Sequence, residues 1–141
     1  MIMRFHFGGA SRRGVVLLLL GLFVLPAVGY SADPYSLVLE GYEAYEAKDY
    51  ARARARFDQA CKGGDALGCS NLGFMFLKGK GGEQNKAQAR ALYNQACKGG
   101  DAAACYNLGV MFETGEGGPL GLARARELYA QACKGGVARA C

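Results

Sequence analysis

His6 is the only histidine in the chain. Every later residue is therefore without the side chain that most often acts as a general base near neutrality and most often ligates zinc. No C-x-x-C pair occurs, which removes the spacing of a redox dithiol, a haem attachment or a close-paired zinc site. The stretches "GKGG" (79–82) and "GEGG" (115–118) lack the G-x-x-x-x-G-K-S/T spacing that cradles phosphate, so they read as loops. No cofactor is expected.

A strong basic excess is missing too. The formal charge of +5 includes Arg4, Arg12 and Arg13, and residues 1–32 hold no acid, so the remainder carries only +2. That is too little for the basic footprint of a nucleic-acid partner. There is one long apolar run, "GVVLLLLGLFVLPAVG" (14–29), preceded by the arginines and ending in small residues. A basic start, a short apolar segment and small residues at its end read as a secretory signal peptide over 1–32. Cleavage is expected after Gly29 or Ala32, delivering a periplasmic or secreted protein with no stable membrane insertion. An uncleaved anchor is the alternative, but the run is short for a spanning helix of about 20 residues. "SRRGVVL" is similar to a twin-arginine signal, whereas the leucine-dense core fits the general secretory route. No cysteine stands close enough after the run to carry a lipid.

What the chain has in abundance is itself. "QACKGGDALGC" (59–69) returns as "QACKGGDAAAC" (95–105) and "QACKGGVARAC" (131–141). Residues 69–104 align with 105–140 without a gap, and 22 of 36 positions are identical. A fixed period of this length marks a solenoid. Each copy holds two helical segments, "CSNLGFMFLKG" then "KAQARALYNQACKGG", and "CYNLGVMFETG" then "LARARELYAQACKGG". An upstream copy, "YARARARFDQACKGG" after "LVLEGYEAYEAKD", has an internal loop four residues shorter. "ARARARF" alternates like a strand, yet alanine and arginine favour helix and no β-branched residue is present. Gly79 and Gly115, and Gly63, Gly99 and Gly135, are expected as left-handed helix caps. Gly73 and Gly109 fall inside helices at a cost of about 1 kcal/mol each, which points to a close helix–helix crossing.

"NLGFMFLKGKGG…KAQARALYNQAC" resembles a Sel-one-like repeat (SLR), a relative of the tetratricopeptide repeat (TPR) with a longer internal loop. The added C-x7-C resembles the Helicobacter cysteine-rich (Hcp) proteins, secreted SLR solenoids with one disulfide per repeat. The likeness spans roughly residues 35–141 and is specific for fold. It implies an all-α, right-handed α/α solenoid of antiparallel helix pairs, with repeats at 33–68, 69–104 and 105–141, the last ending in a stub. The first copy departs from the pattern, its shorter loop being closer to a TPR. The resemblance also implies the pairs Cys61–Cys69, Cys97–Cys105 and Cys133–Cys141, one of fifteen connectivities open to six cysteines. Export and an even count favour oxidation.

Comparison of the copies separates two stripes on the first helix. Leu72, Met75, Phe76 and Gly79 recur as Leu108, Met111, Phe112 and Gly115, at the spacing of a core face. The varying stripe carries Ser70, Phe74, Leu77 and Lys78 in one copy and Tyr106, Val110, Glu113 and Thr114 in the next. In the first copy it carries Val38, Tyr42, Tyr45 and Glu46. SLR and TPR domains line a concave groove with their first helices, so this stripe is either the groove or an ordinary solvated face. Its aromatics favour recognition of a protein or peptide segment. Asn71 and Asn107 recur two residues before the repeat glycine and fit two roles, bonding a ligand's backbone or tying adjacent turns.

The resemblance brings a rival, β-lactam binding or β-lactamase-type hydrolysis. No serine here has a lysine three residues on, and no "KTG" occurs. A zinc hydrolase would need ligands that the chain after His6 does not offer. The sequence therefore favours a non-enzymatic scaffold with no catalytic and no metal-binding residues.

Overall fold

Asp33, Asp49, Asp65, Asn85 and Asp101 each stand just ahead of a helix, and each side chain accepts a first-turn backbone N–H, at 2.8–3.2 Å. Such caps satisfy donors that a helix leaves free at its start. In the computed structural model, which describes residues 32–141, these signals open α1 (Pro34–Glu46), α2 (Tyr50–Lys62), α3 (Ala66–Lys78), α4 (Lys86–Lys98) and α5 (Ala102–Thr114). α6 (Leu122–Lys134) starts after Gly121 without a side-chain cap, and a 3-10 turn, Ala138–Ala140, comes last. Each helix has 13 residues, and among the described residues there is no strand. Consecutive helices pack as pairs, α1 with α2, α3 with α4 and α5 with α6, and each pair packs on the next through α2–α3 and α4–α5. The array is an α/α solenoid. The expected leader lies outside the described residues, apart from Ala32.

α3 and α5 begin at Ala66 and Ala102, three residues before the cysteines at which the sequence pattern starts its first helices. Asp65 and Asp101 win that boundary because each carboxylate caps the turn in which the cysteine sits.

The "KGG" turns also differ from expectation. Gly63, Gly99 and Gly135 have φ of −75°, −77° and −80°, so none is left-handed. Their neighbours Gly64, Gly100 and Gly136 are, with φ of 91°, 98° and 94°. The bonding explains the shift. Asp65 N–H donates to the Ala60 carbonyl and Gly64 N–H to that of Cys61, and Asp101/Gly100 and Val137/Gly136 repeat the pattern. This is a Schellman cap, whose left-handed residue lies one beyond the C-cap. The first glycine has another reason to be bare, since a methyl at Gly63 would lie 2.8 Å from Pro34 and one at Gly99 would lie 2.9 Å from Ala66. Gly79 and Gly115 are left-handed caps as expected, at φ 65° and 72°.

Each turn delivers the chain into a disulfide. Cys61–Cys69, Cys97–Cys105 and Cys133–Cys141 join with Cα–Cα distances of 4.4, 4.6 and 5.0 Å. The first two bonds are buried, and the third lies at the surface. The first two tie a second helix to the next first helix, and the third ties α6 to the chain end. Closing a nine-residue loop stabilises by about 2.5 kcal/mol in the chain-entropy account.

The core is built of small residues and one repeated ring. Phe57, Tyr93 and Tyr129 occupy the same position in three copies, and each ring lies on the mid-helix glycine of its own pair. A methyl at Gly41 would lie 2.5 Å from Phe57, one at Gly73 3.3 Å from Tyr93 and one at Gly109 2.7 Å from Tyr129. The close approach that these glycines allow is thus an aromatic ring against a helix backbone. Around it Leu72, Met75, Leu108 and Met111 are buried, as expected of the repeated stripe. Phe76 and Phe112 are only half-buried, each lying under a guanidinium, Arg54 or Arg90, 3.7 Å from the ring centroid. Arg90 also donates to the carbonyls of Glu116 (3.4 Å) and Pro119 (2.8 Å), and Arg54 to that of Glu83 (3.4 Å). Each long loop is thereby fastened to the preceding pair. Side chains at Gly81 and Gly117 would collide with the Tyr50 and Lys86 carbonyls beneath them.

The ring seats order the effects of a single methyl. Gly109→Ala should destabilise by about 1–3 kcal/mol, because Tyr129 must leave its rotamer or push α5 away. Gly73→Ala meets a looser ring and gains about 1 kcal/mol of helix propensity, so it should come out near neutral. Thermal melts of the two variants check the order; equal losses would contradict it.

Candidate functional site

On α1 an exposed stripe runs Tyr35, Leu39, Tyr42 and Glu46, at helical spacings of four, three and four. The matching positions on α3 are Leu67, Asn71, Phe74 and Lys78, and on α5 Ala103, Asn107, Val110 and Thr114. The register is that of the mid-helix glycines Gly41, Gly73 and Gly109, each held under its ring. First-helix side chains therefore stand in rows across the repeats.

Where α1 and α3 meet, Tyr42, Tyr45, Phe57, Asn71, Phe74 and Met75 enclose a half-open cavity of about 290 Å³. Its walls are mostly rings. Tyr42 meets Phe57 edge-on with centroids 5.5 Å apart, and Tyr45 lies 6.3 Å from Phe74. The polar feature of the lining is one bond, Asn71 Nδ2 donating to Tyr42 Oη at 2.9 Å. Tyr45 also packs edge-on against Tyr50, with the Lys80 ammonium 4.1 Å from the Tyr50 centroid and 5.1 Å from that of Tyr45. Tyr50 and then Tyr45 raise the Lys80 pKa above its ordinary value.

The structure corrects the expected stripe at one edge. Val38 is 1 % exposed and Ser70 9 %, so both belong to the core. Val38 lies on the arc Leu37, Val38, Gly41 and Ala44 that α1 turns toward the rest of the array. A first helix packed on its own partner and on the neighbouring pair buries a wider arc than one stripe. Tyr106, at the same position, is half-buried between Tyr129, 5.6 Å away, and the Arg139 guanidinium, 4.5 Å from its centroid. The rest of the stripe divides between the two ends. Tyr42, Tyr45 and Phe74 share the cavity, Leu77 is half-buried, and Glu46 and Lys78 are exposed.

At the other end Glu113 accepts a short bond from the Tyr129 hydroxyl, and Thr114 Oγ1 donates to the Val110 carbonyl of its own helix at 2.9 Å. Burial first, and then Glu113, push the Tyr129 pKa up to about 12. Val110 is half-buried beside them.

Tyr35, Leu39 and Leu67 lie outside the stripe expected from the sequence, although they are 64, 47 and 42 % exposed. Leu67 precedes Cys69, where the sequence pattern starts the helix. Tyr35 and Leu39 do carry a usable signal, since with Tyr42 they are spaced four and three apart along one face. Among the described residues no cluster of three or more His, Cys, Asp or Glu side chains is arranged to hold a metal.

Known proteins resemble this chain across its repeats. A putative β-lactamase, HcpC, of Helicobacter pylori is 36 % identical over 67 residues, covering 48 % of this chain and 23 % of that protein. The β-lactamase HcpA of the same species is 36 % identical over 64 residues, covering 45 % of this chain and 26 % of HcpA. The chain thus spans about a quarter of the length of these curated relatives. Among solved structures, c5321, a protective antigen of uropathogenic Escherichia coli strains with an SLR fold, superposes with a TM-score of 0.72 at 26 % identity. That match covers 76 % of this chain and 24 % of c5321. A Sel1 repeat protein from Oxalobacter formigenes gives 0.68 at 30 % identity over 74 % of this chain and 41 % of that one. H. pylori cysteine-rich protein B gives 0.63 at 21 % identity over 77 and 92 %, a likeness of fold alone. The family model for the Sel1 repeat matches residues 66–101 and 102–137, just over half of the chain, with α3–α4 in the first match and α5–α6 in the second. With its repeated helix pairs and glycine loops, the chain belongs to the Sel1 repeat family.

Proposed function

We propose that this chain is an exported, non-enzymatic scaffold that holds a peptide or protein segment on its first-helix face. The cavity between α1 and α3 carries the reading. It measures about 290 Å³, just under the roughly 300–1,000 Å³ of small-molecule sites, and suits one side chain of a longer partner. Exposed Tyr42 and half-buried Phe74 have the character of aromatic anchors at interface centres. The two asparagines take different parts. Asn71 is tied to Tyr42, whereas Asn107 has Phe74, a ring without hydroxyl, at the position corresponding to Tyr42. Its carboxamide is thus offered to a partner's backbone.

Export is supported by the leader-like sequence of residues 1–32 and by three disulfides, which persist in oxidising compartments. Among the described residues no helix is long and apolar enough to cross a membrane. Repeat boundaries at 33–68, 69–104 and 105–141 fit this reading if each cysteine pair is taken as the joint between units.

Capture from periplasmic extract by the oxidised protein tests the groove. Tyr42→Ala with Phe74→Ala should weaken retention about thirtyfold, the cost of roughly 2 kcal/mol from a lost anchor. Leu72→Ala or Met111→Ala should instead lower the melting point, core truncations costing about 2–5 kcal/mol. Cavity variants that melt and bind like the parent would remove the groove as the site.

The names of HcpC and HcpA favour a second reading, β-lactam hydrolysis. Its chemistry requires an activated nucleophile, and Ser70 is 9 % exposed, bordered by disulfide-bonded Cys69 and lacking a lysine three residues on. Purified protein should leave a chromogenic β-lactam intact. Turnover abolished by one point substitution would establish the hydrolase instead.

A further inference from the structure

The groove is not uniform along its length, and the differences specify what enters it. From α1 to α5 the outward rows run Tyr35, Leu67, Ala103; Leu39, Asn71, Asn107; and Tyr42, Phe74, Val110. Large apolar groups thin out toward α5, and the aromatic cavity lies at the α1–α3 end. Charge is graded in the same direction. Lys78 is exposed one turn beyond Phe74, and the Lys80 ammonium lies beside the cavity, 4.1 Å from the Tyr50 centroid and 5.1 Å from that of the lining ring Tyr45. Neither lysine belongs to an ion pair among the described residues, where the paired cations are Arg56, Lys62, Lys86 and Arg124. On α1 Glu46 holds the position that corresponds to Lys78, and Glu43 is exposed as well. In the next repeat Thr114 and Glu116 take the places of Lys78 and Lys80, and Glu116 is itself bound to Lys86 at 2.7 Å. The aromatic cavity and the unpaired Lys78 and Lys80 thus come together at the α1–α3 junction, whereas Val110, Thr114 and the paired Glu116 hold the corresponding positions of the next repeat.

We infer that the cavity takes an aromatic side chain of the bound segment and that an acidic residue next to it meets Lys78 and Lys80. The inference rests on the groove reading and adds the chemistry of the partner: an acidic–aromatic peptide, seated at the α1–α3 end. The ring displaces water from a pocket walled by four aromatic side chains, Tyr42, Tyr45, Phe57 and Phe74, and Met75. The carboxylate supplies the ion pair that the two lysines lack among the described residues.

Three capped dipeptides separate the parts: acetyl-Phe-Glu-amide, acetyl-Phe-Gln-amide and acetyl-Gly-Glu-amide, titrated at millimolar concentration into the ¹⁵N-labelled oxidised protein. Both phenylalanine probes should shift the amides of Asn71, Phe74 and Met75, leaving Asn107 and Val110 in place, and the Gly-Glu probe should shift neither set. Phe-Glu should bind about two- to fivefold more tightly than Phe-Gln, the range of an exposed charge pair, and the margin should vanish in Lys78→Gln/Lys80→Gln. Those two residues lie outside the core, so an unchanged amide spectrum will show that the variant is folded. Equal responses to Phe-Glu and Gly-Glu, shifts centred on α5, or a margin that survives the double substitution would overturn the inference. Should capture by the groove be lost in the Tyr42/Phe74 variant while no phenylalanine probe enters the cavity, this inference falls and the groove reading stands.

Discussion

The junction between helix pairs is the constraint on which the array depends. In 11 residues, Gln59–Cys69, a helix ends in a Schellman cap, an aspartate starts the next helix, and a disulfide closes the turn. Each device leaves little freedom. The left-handed glycine sets the exit direction, Asp65 fixes the first turn of α3, and the 4.4 Å Cα–Cα distance holds the two helix ends together. Repetition at Gln95–Cys105 gives α5 the same relation to α4. Because the glycine that seats each ring lies four residues after the cysteine, the junction also sets where Tyr93 and Tyr129 come to rest.

Loops and groove depend on that placement. With α3 held beside α2, Arg54 reaches Phe76 and the Glu83 carbonyl, and Arg90 repeats the reach to Phe112 and its loop. The chemistry of the outer loop contact is exchanged between copies. Lys80 lies over Tyr50, whereas Glu116 binds Lys86, so a cation on a ring in one repeat is an ion pair in the next. The cavity lining between α1 and α3 takes no part in these arginine-to-loop contacts. There the copies differ, and the aromatic cavity is where they differ to build something concave.

Repetition makes much of this legible in the sequence. A period of 36 with constant C-x7-C implies the helix pairs, and the resemblance it supports implies the pairing of all six cysteines. The points of disagreement have common causes. Left-handed geometry belongs to Gly64 and not Gly63, yet two adjacent glycines offer the same local signal, and only the Asp65-to-Ala60 bond distinguishes them. Val38 and Ser70 fall on the open face only if variation between copies is equated with exposure. Val38 and Ser70 are buried, and Tyr106, at the same position of the third copy, is half-buried. Leu67 is hidden by a helix start placed three residues late. The cavity itself is not legible, since it needs Phe57 of a second helix as its floor beside first-helix rings.

Function in this account is a consequence of stapled geometry: rows of side chains across three first helices exist as long as the junctions hold. Amide hydrogen exchange on the oxidised and the fully reduced protein measures that dependence directly. Each of the two buried disulfides contributes about 2.5 kcal/mol in the chain-entropy account, against a typical total of about 5–15 kcal/mol. Reduction should therefore strip protection from Ala66–Lys78 and Ala102–Thr114 together, with the cavity amides of Asn71 and Phe74 among those exposed. A reduced protein that keeps full protection across both helices would contradict the account.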